Sequence, residues 1–358
     1  MTRQKTPLSA LETLPSFEVS EISPAFLREE LPRWGISSIE DFLGLVEELP
    51  NVIPADPQVL AVLRAEILEH LVPPENLDLL EPVPRLPSFG VAPPELRAAP
   101  DDRLAWRADE QAAGMHALPE LDNLPTSISL LDGCGPEPRD QGARQTCTAF
   151  ATAGVLEYLL CRSTGQPQDL SEQFLYWSMA QNGLLVNEAS HLAGVFELVR
   201  NAGVCQDHFW PYEPDHRPGD ITHGNPPNRQ DSEQDAIRHL FDTVRFVENP
   251  KDVINLRRLL AAGLPVAVEI PLFESYWISS LYYFGQITLP PDGAGIADHH
   301  AIILIGYETS LQGPSQDVFL VRNSSSRWGR DSPWGAGYGT VLSEYLENFL
   351  ESAWFGTV

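Results

Sequence analysis

The 358-residue chain carries 50 acidic residues against 23 Lys and Arg, a formal net charge of −27. A surface of that sign repels nucleic acid and anionic membrane and attracts basic peptides. With 43% hydrophobic residues and 15 Phe the composition is that of a packed core, not a disordered chain. No run approaches the ~18 apolar residues of a membrane span, and Met-Thr-Arg-Gln-Lys-Thr-Pro-Leu-Ser is not followed by the apolar stretch of a secretory signal.

Residues 1–24 read as an irregular arm. A short helix is expected from Ala25 to Leu31, broken by Pro32 and Gly35. Ser37 and Glu40 have capping-box spacing, and Ile39, Phe42, Leu43 and Val46 follow on one face. Asp56 caps a further helix with Pro57 in its first turn; Leu60, Leu63, Ile67, Leu68 and Leu71 form its apolar stripe. Residues 1–72 are therefore expected to be a small helical domain, a candidate docking site for a protein partner. Prolines 73, 74, 82, 84, 87, 93, 94 and 100 forbid long helices past that point, so 73–120 reads as an extended strap, with one more helix expected over Asp101–Met115. The remainder, 121–358, holds helices near 147–160, 171–181, 192–201 and 250–262. Strands are expected at 265–270, 282–289, 300–307, 318–322 and 337–342. Helices before strands predict an α+β fold, with a helical half and a twisted, mostly antiparallel β half.

The chemistry concentrates in three places. Cys147 follows the polar run Arg139-Asp140-Gln141-Gly142-Ala143-Arg144-Gln145-Thr146 and opens a helix, where unpaired N–H groups and the helix dipole favour a thiolate nucleophile. Gln141 offers an amide donor of the kind an oxyanion hole needs. His299 and His300 stand at the mouth of an apolar strand, and neighbours on a strand face opposite ways, so one of the two can face the thiol. Asn323 ends another strand. A thiol needs an imidazole to take its proton, and the imidazole needs a third group to hold its ring. Cys147, His300 and Asn323 supply these in chain order. No Cys/His set has zinc spacing, and no metal or cofactor is expected.

Taken together, Gln141…Cys147-Thr148-Ala149-Phe150, Leu170-Ser171-Glu172-Gln173, Trp210-Pro211-Tyr212, His300-Ala301…Gly306-Tyr307 and Asn323-Ser324…Trp334-Gly335 make residues 121–358 resemble the papain-like (C1) cysteine peptidases, in particular bacterial members. The resemblance implies a two-lobed fold with the site in the cleft between lobes. It implies Cys147 as nucleophile, His300 as base and acid, Asn323 as its orienting partner, Gln141 in the oxyanion hole, and a protein or peptide substrate. It also selects His300 over His299, through the register of Gly306-Tyr307. Family members often carry a pro-segment through the cleft, so the N-terminal region is a candidate for holding a zymogen latent. Gln145 replaces the family's usual Gly, and Ser325 its usual Trp, with Trp328 nearby; these leave open a silent or acyl-transferring protein that acts as a binding module. Four cysteines with one reserved for catalysis leave an odd number. Cys161 falls on an apolar helical stretch and reads as core. The chain is accordingly expected to be reduced and cytoplasmic, without the disulfides of secreted relatives.

Overall fold

The computed structural model describes residues 4–358 except 19, 21, 86–88, 97–99, 107–117, 132, 135–136 and 311–316. The chain separates into two compact units. One comprises Met1–Arg85, Leu272–Ala297 and Arg327–Gly339; the other comprises Leu86–Pro271, Asp298–Ser326 and Thr340–Val358.

In the first unit the expected irregular arm is instead two short helical turns, Leu8–Thr13 and Pro15–Glu18. Leu8, Leu11, Leu14 and Phe17 recur every third residue, the period of a 3-10 turn, and all four are buried. The helix Ile39–Glu48 is capped one residue later than its sequence suggests. Ser38 accepts from the Asp41 N–H, and Asp41 bonds back to the Ser38 N–H. Glu40 is committed elsewhere, to the Thr6 N–H and the Asn76 amide. Pro57–His70 begins as expected, with Asp56 accepting from Gln58. The expected strand over 282–289 is mostly the helical turn Ser279–Phe284, closed by Gly285 in the left-handed region, with only Gln286–Ile287 extended. The aromatic run Tyr282-Tyr283-Phe284 is β-prone in isolation, but the glycine C-cap decides it.

In the second unit three helices, Cys147–Thr164, Glu172–Gln181 and Leu192–Ala202, pack together. Its sheet runs Ala105–Trp106, Thr243–Val247, Ser352–Thr357, Val266–Phe273, Ile296–Glu308, Val318–Arg322 and Tyr338–Leu342, with Ser127–Ser129 paired to the far end of Ile296–Glu308. Apart from the parallel Ala105–Trp106 edge, the pairings with defined register are antiparallel. The Asp101–Met115 helix is not formed where it is described: Asp102–Leu104 is a 3-10 turn and Ala105–Trp106 a strand, and 107–115 lies outside the described residues. No described helix is long and apolar enough to cross a membrane.

Cys134 and Cys161 form a disulfide, so the expectation of a fully reduced chain is wrong. Cys161 is buried, as expected of a core residue, but it is also the anchor for the loop that leads into the Cys147 stretch. A reducing compartment is no longer implied by the cysteines. The bridge closes a separation of 27 residues. Replacing both cysteines by serine should therefore lower stability by about 3 kcal/mol, read as a lower urea midpoint with a slope that rises as the freed unfolded chain expands.

Candidate active site

Cys147 is the first residue of an 18-residue helix and is completely buried. Thr146 precedes it as N-cap, its hydroxyl 2.8 Å from the Tyr212 hydroxyl. The loop ahead is rigidly tied. Arg139 pairs at 2.5 Å with both Glu157 and Glu172. Arg144, 2% exposed, donates to the Gln173 side chain (2.6 Å) and to the carbonyls of Glu213 and Ile221 (2.8 Å each), and lies over the rings of Tyr176 and Tyr212. A buried guanidinium held this way by carbonyls and rings locks the loop without a carboxylate.

Gln141 is also buried. Its Oε1 accepts from the Ser324 hydroxyl (2.5 Å), and its Nε2 donates to the Arg144 carbonyl (2.8 Å). Ser324 follows Asn323, whose Oδ1 lies 2.7 Å from His300 Nε2. The Ile303↔Arg322 register brings the end of the Asn323 strand beside the His300 strand. Asn323 Oδ1 also accepts the Ser324 N–H, which fixes the amide as acceptor and hence places the His300 proton on Nε2. His300 Nδ1 is left buried without a hydrogen bond, free to receive a proton. Strand alternation separates the two histidines as expected: His299 turns to Glu351, with Nδ1 3.0 Å from its carboxylate. Trp328 is fully buried in the first unit, against Gly339. Cys205 is a buried thiol pushed up to about 12, chiefly by burial and then by Asp235, which makes it inert.

A piece of the expected 73–120 strap crosses this site. The Phe89 carbonyl accepts from Gln141 Nε2 (3.0 Å) and from the Cys147 N–H (3.3 Å). The Phe89 N–H donates to Asp298 (2.8 Å), and its ring lies 4.3 Å from the His300 ring. Beyond it, Val91 pairs in parallel with Ser190: the Ser190 N–H donates to the Gly90 carbonyl (2.9 Å) and the Ala92 N–H to the Ser190 carbonyl (3.0 Å). Gly90 has φ +111°, and a Cβ there would fall 2.3 Å from the Gln145 carbonyl carbon. Phe89, Gly90, Asp298 and Ser190 carried no motif; the one signal was a glycine among the prolines.

Burial sets the electrostatics. It pushes the Cys147 thiol well up, against the lowering N–H of Ala301, and Asp298 and Glu269 push the same way. The helix dipole that should favour a thiolate is outweighed while the site is covered. Burial likewise drives His300 down to about 4, against the raising bond to Asn323. In this state the pair is a neutral thiol and a neutral imidazole.

The papain family cysteine protease model matches residues 131–347. The chain is 28% identical over 232 residues to the oryzain gamma chain of Oryza sativa subsp. japonica, covering 62% of this chain and 56% of that protein. It is 24% identical over 220 residues to procathepsin L of Felis catus, covering 61% and 60%. The chain thus spans less than two thirds of the length of these curated relatives. Among solved structures, xylellain, a cysteine protease from Xylella fastidiosa, aligns with a TM-score of 0.60 at 20% identity, over 77% of this chain and 98% of that one. Digestive procathepsin L 3 of Tenebrio molitor aligns at 0.54 and 17% identity, over 98% and 97%.

Proposed function

Because the chain belongs to the papain family of cysteine proteases, we propose that it is a cysteine endopeptidase held latent by its own residues 89–92. Cys147 gives its proton to His300 Nδ1, and the thiolate attacks the substrate carbonyl. Gln141 Nε2 and the Cys147 N–H hold the oxyanion, and Asn323 keeps the ring in the tautomer that accepts at Nδ1. His300 then protonates the leaving amine, and water releases the acyl group.

The observation that carries this reading is the Phe89 carbonyl, which takes hydrogen bonds from both the Gln141 side chain and the Cys147 N–H. A carbonyl already occupies the place where an oxyanion would form. The Phe89 ring packs on the His300 ring, and Gly90 lies against the Gln145 backbone. The segment fills the site in the place of a substrate. Within the sequence-based division, the 73–120 strap would carry the inhibitor and 121–358 the peptidase; a basic or unstructured peptide suits the acidic surface.

Gly90→Ala tests the strap. The new Cβ meets Gln145 backbone that cannot swing away, at a φ that side chains rarely adopt. Strain of ~1–3 kcal/mol should lift the strap and raise full-length activity on an unstructured peptide by about ten- to a hundredfold. Unchanged activity in folded Gly90→Ala protein would contradict the inhibitory role.

A further inference from the structure

We infer that residues 4–85 are a permanent part of the folded protein, held on Leu272–Ala297 and Arg327–Gly339, and remain bound when the strap at 89–92 is cut away. The inference rests on the reading of 89–92 as the inhibitory segment, and it separates two roles that a removable leader would combine.

The first unit has one hydrophobic core, not two surfaces in contact. Ile278 and Leu281, from far along the chain, belong to the same buried cluster as Leu31, Ile36, Ile39, Phe42, Leu63 and Ile67, and both are essentially inaccessible. Approach is close enough that a Cβ at Gly44 would stand 2.6 Å from Ile278 Cγ2. At the centre, the fully buried Asp41 carboxylate binds Lys5 Nζ (2.6 Å), the Ser280 hydroxyl (2.7 Å) and the N–H groups of Ser37 and Ser38 (3.1 Å each). Two further links close the edges: the Thr288 hydroxyl donates to the Trp34 carbonyl (2.7 Å), and Arg330 donates to Asp78 while lying over Tyr283. Loss of residues 4–85 would open this core and strip Ser280 of its buried acceptor.

The strap is a short segment by comparison. Among the described residues it makes five hydrogen bonds, to Gln141, Cys147, Asp298 and Ser190, three of them backbone to backbone, and buries Phe89, Val91 and Ala92. Hydrolysis of a peptide bond on each side of it, consuming one water each, would free a short peptide that has no core of its own. The N-terminal helices would keep theirs. Activation by cutting therefore yields a two-chain enzyme rather than a shortened one.

The test uses the full chain with recognition sequences for a site-specific protease inserted between Arg85 and Leu86 and between the exposed Pro94 and Glu95. After cutting, both long fragments should co-elute as one particle by size exclusion and native mass spectrometry, while the 86–94 peptide is lost. An N-terminal fragment that separates from a folded remainder would overturn the inference. A second variant, Asp41→Asn, removes the buried charge that Lys5 and Ser280 share. The cut variant, folded by circular dichroism before cutting, should shed its N-terminal fragment at a protein concentration about a hundredfold higher than the cut parent does. Equal shedding would also overturn it. Peptidase activity is recorded on the same samples. A particle that holds together but was equally active before cutting would sink the strap reading and leave this one standing; activity that appears as the N-terminal fragment leaves would do the reverse.

Discussion

Replacing Cys147 by alanine should reduce peptide hydrolysis by about 10⁵–10⁶-fold in protein from which the 86–94 segment has been cut. The size follows from the role: without the sulfur no acyl intermediate forms, and Gln141 and the Cys147 N–H alone can only polarise a carbonyl toward water. His300→Ala should cost about as much, and the double variant no more than either, because the two act as a unit. Asn323→Ala should cost less, since it removes only the bond that places the proton on Nε2. The fold should lose only about 1 kcal/mol on Cys147→Ala, the packing of one buried sulfur, because the thiol is neutral in the covered state. Steady-state rates with one unstructured peptide, beside melting curves for each variant, check all of these.

Mild acid should open the strap. In the covered state His300 titrates near 4 rather than its ordinary 6.5, because burial disfavours the imidazolium. A base whose pKa is depressed by folding contributes stability that is present above 6.5 and is lost as pH falls toward 4, since the open state takes up the proton first. The full effect is on the order of 3 kcal/mol. Cys147 sets the other limit: its pKa is raised above 9.0, so the covered state loses stability as pH climbs past 9.0 and the uncovered thiol ionises. The strap should thus be tightest between about 6.5 and 9. Hydrogen exchange at the Ser190 and Ala92 amides, which bond across the strap, should show opening that becomes about tenfold more frequent per pH unit below 6, once the intrinsic exchange rate is divided out. Protection of those amides that is flat from pH 4 to 9 would contradict it.

The difference between what the sequence disclosed and what it hid has a physical basis. Cys147, His300, Asn323 and Gln141 stood out because each needs a particular functional group at the end of a particular element, and that leaves a pattern along the chain. The structure places His300 against Asn323 and ties Gln141 to Ser324 beside them. The helices around Asp56-Pro57 and after Cys147 were legible for the same local reason. The Phe89 contacts were not, because a strap binds through its backbone carbonyls and N–H groups, which every residue possesses; its bond to Asp298 spans 209 positions. The Cys134–Cys161 bridge was hidden because spacing does not encode pairing. The shift of the cap from Ser37 to Ser38 came from a tertiary demand, the recruitment of Glu40 by Thr6 and Asn76. The strands Thr243–Val247 and Ser352–Thr357, paired with each other from positions over a hundred residues apart, lacked the clear alternation that would have marked them.

The most direct test is to alkylate the strap-cut protein with a thiol-reactive peptide analogue while following peptide hydrolysis and intact mass together. A single adduct should form, mapped to Cys147, with activity falling in step with its stoichiometry, and the uncut protein should label far more slowly. Hydrolysis that survives full modification of Cys147, or that persists in Cys147→Ala, would contradict the account.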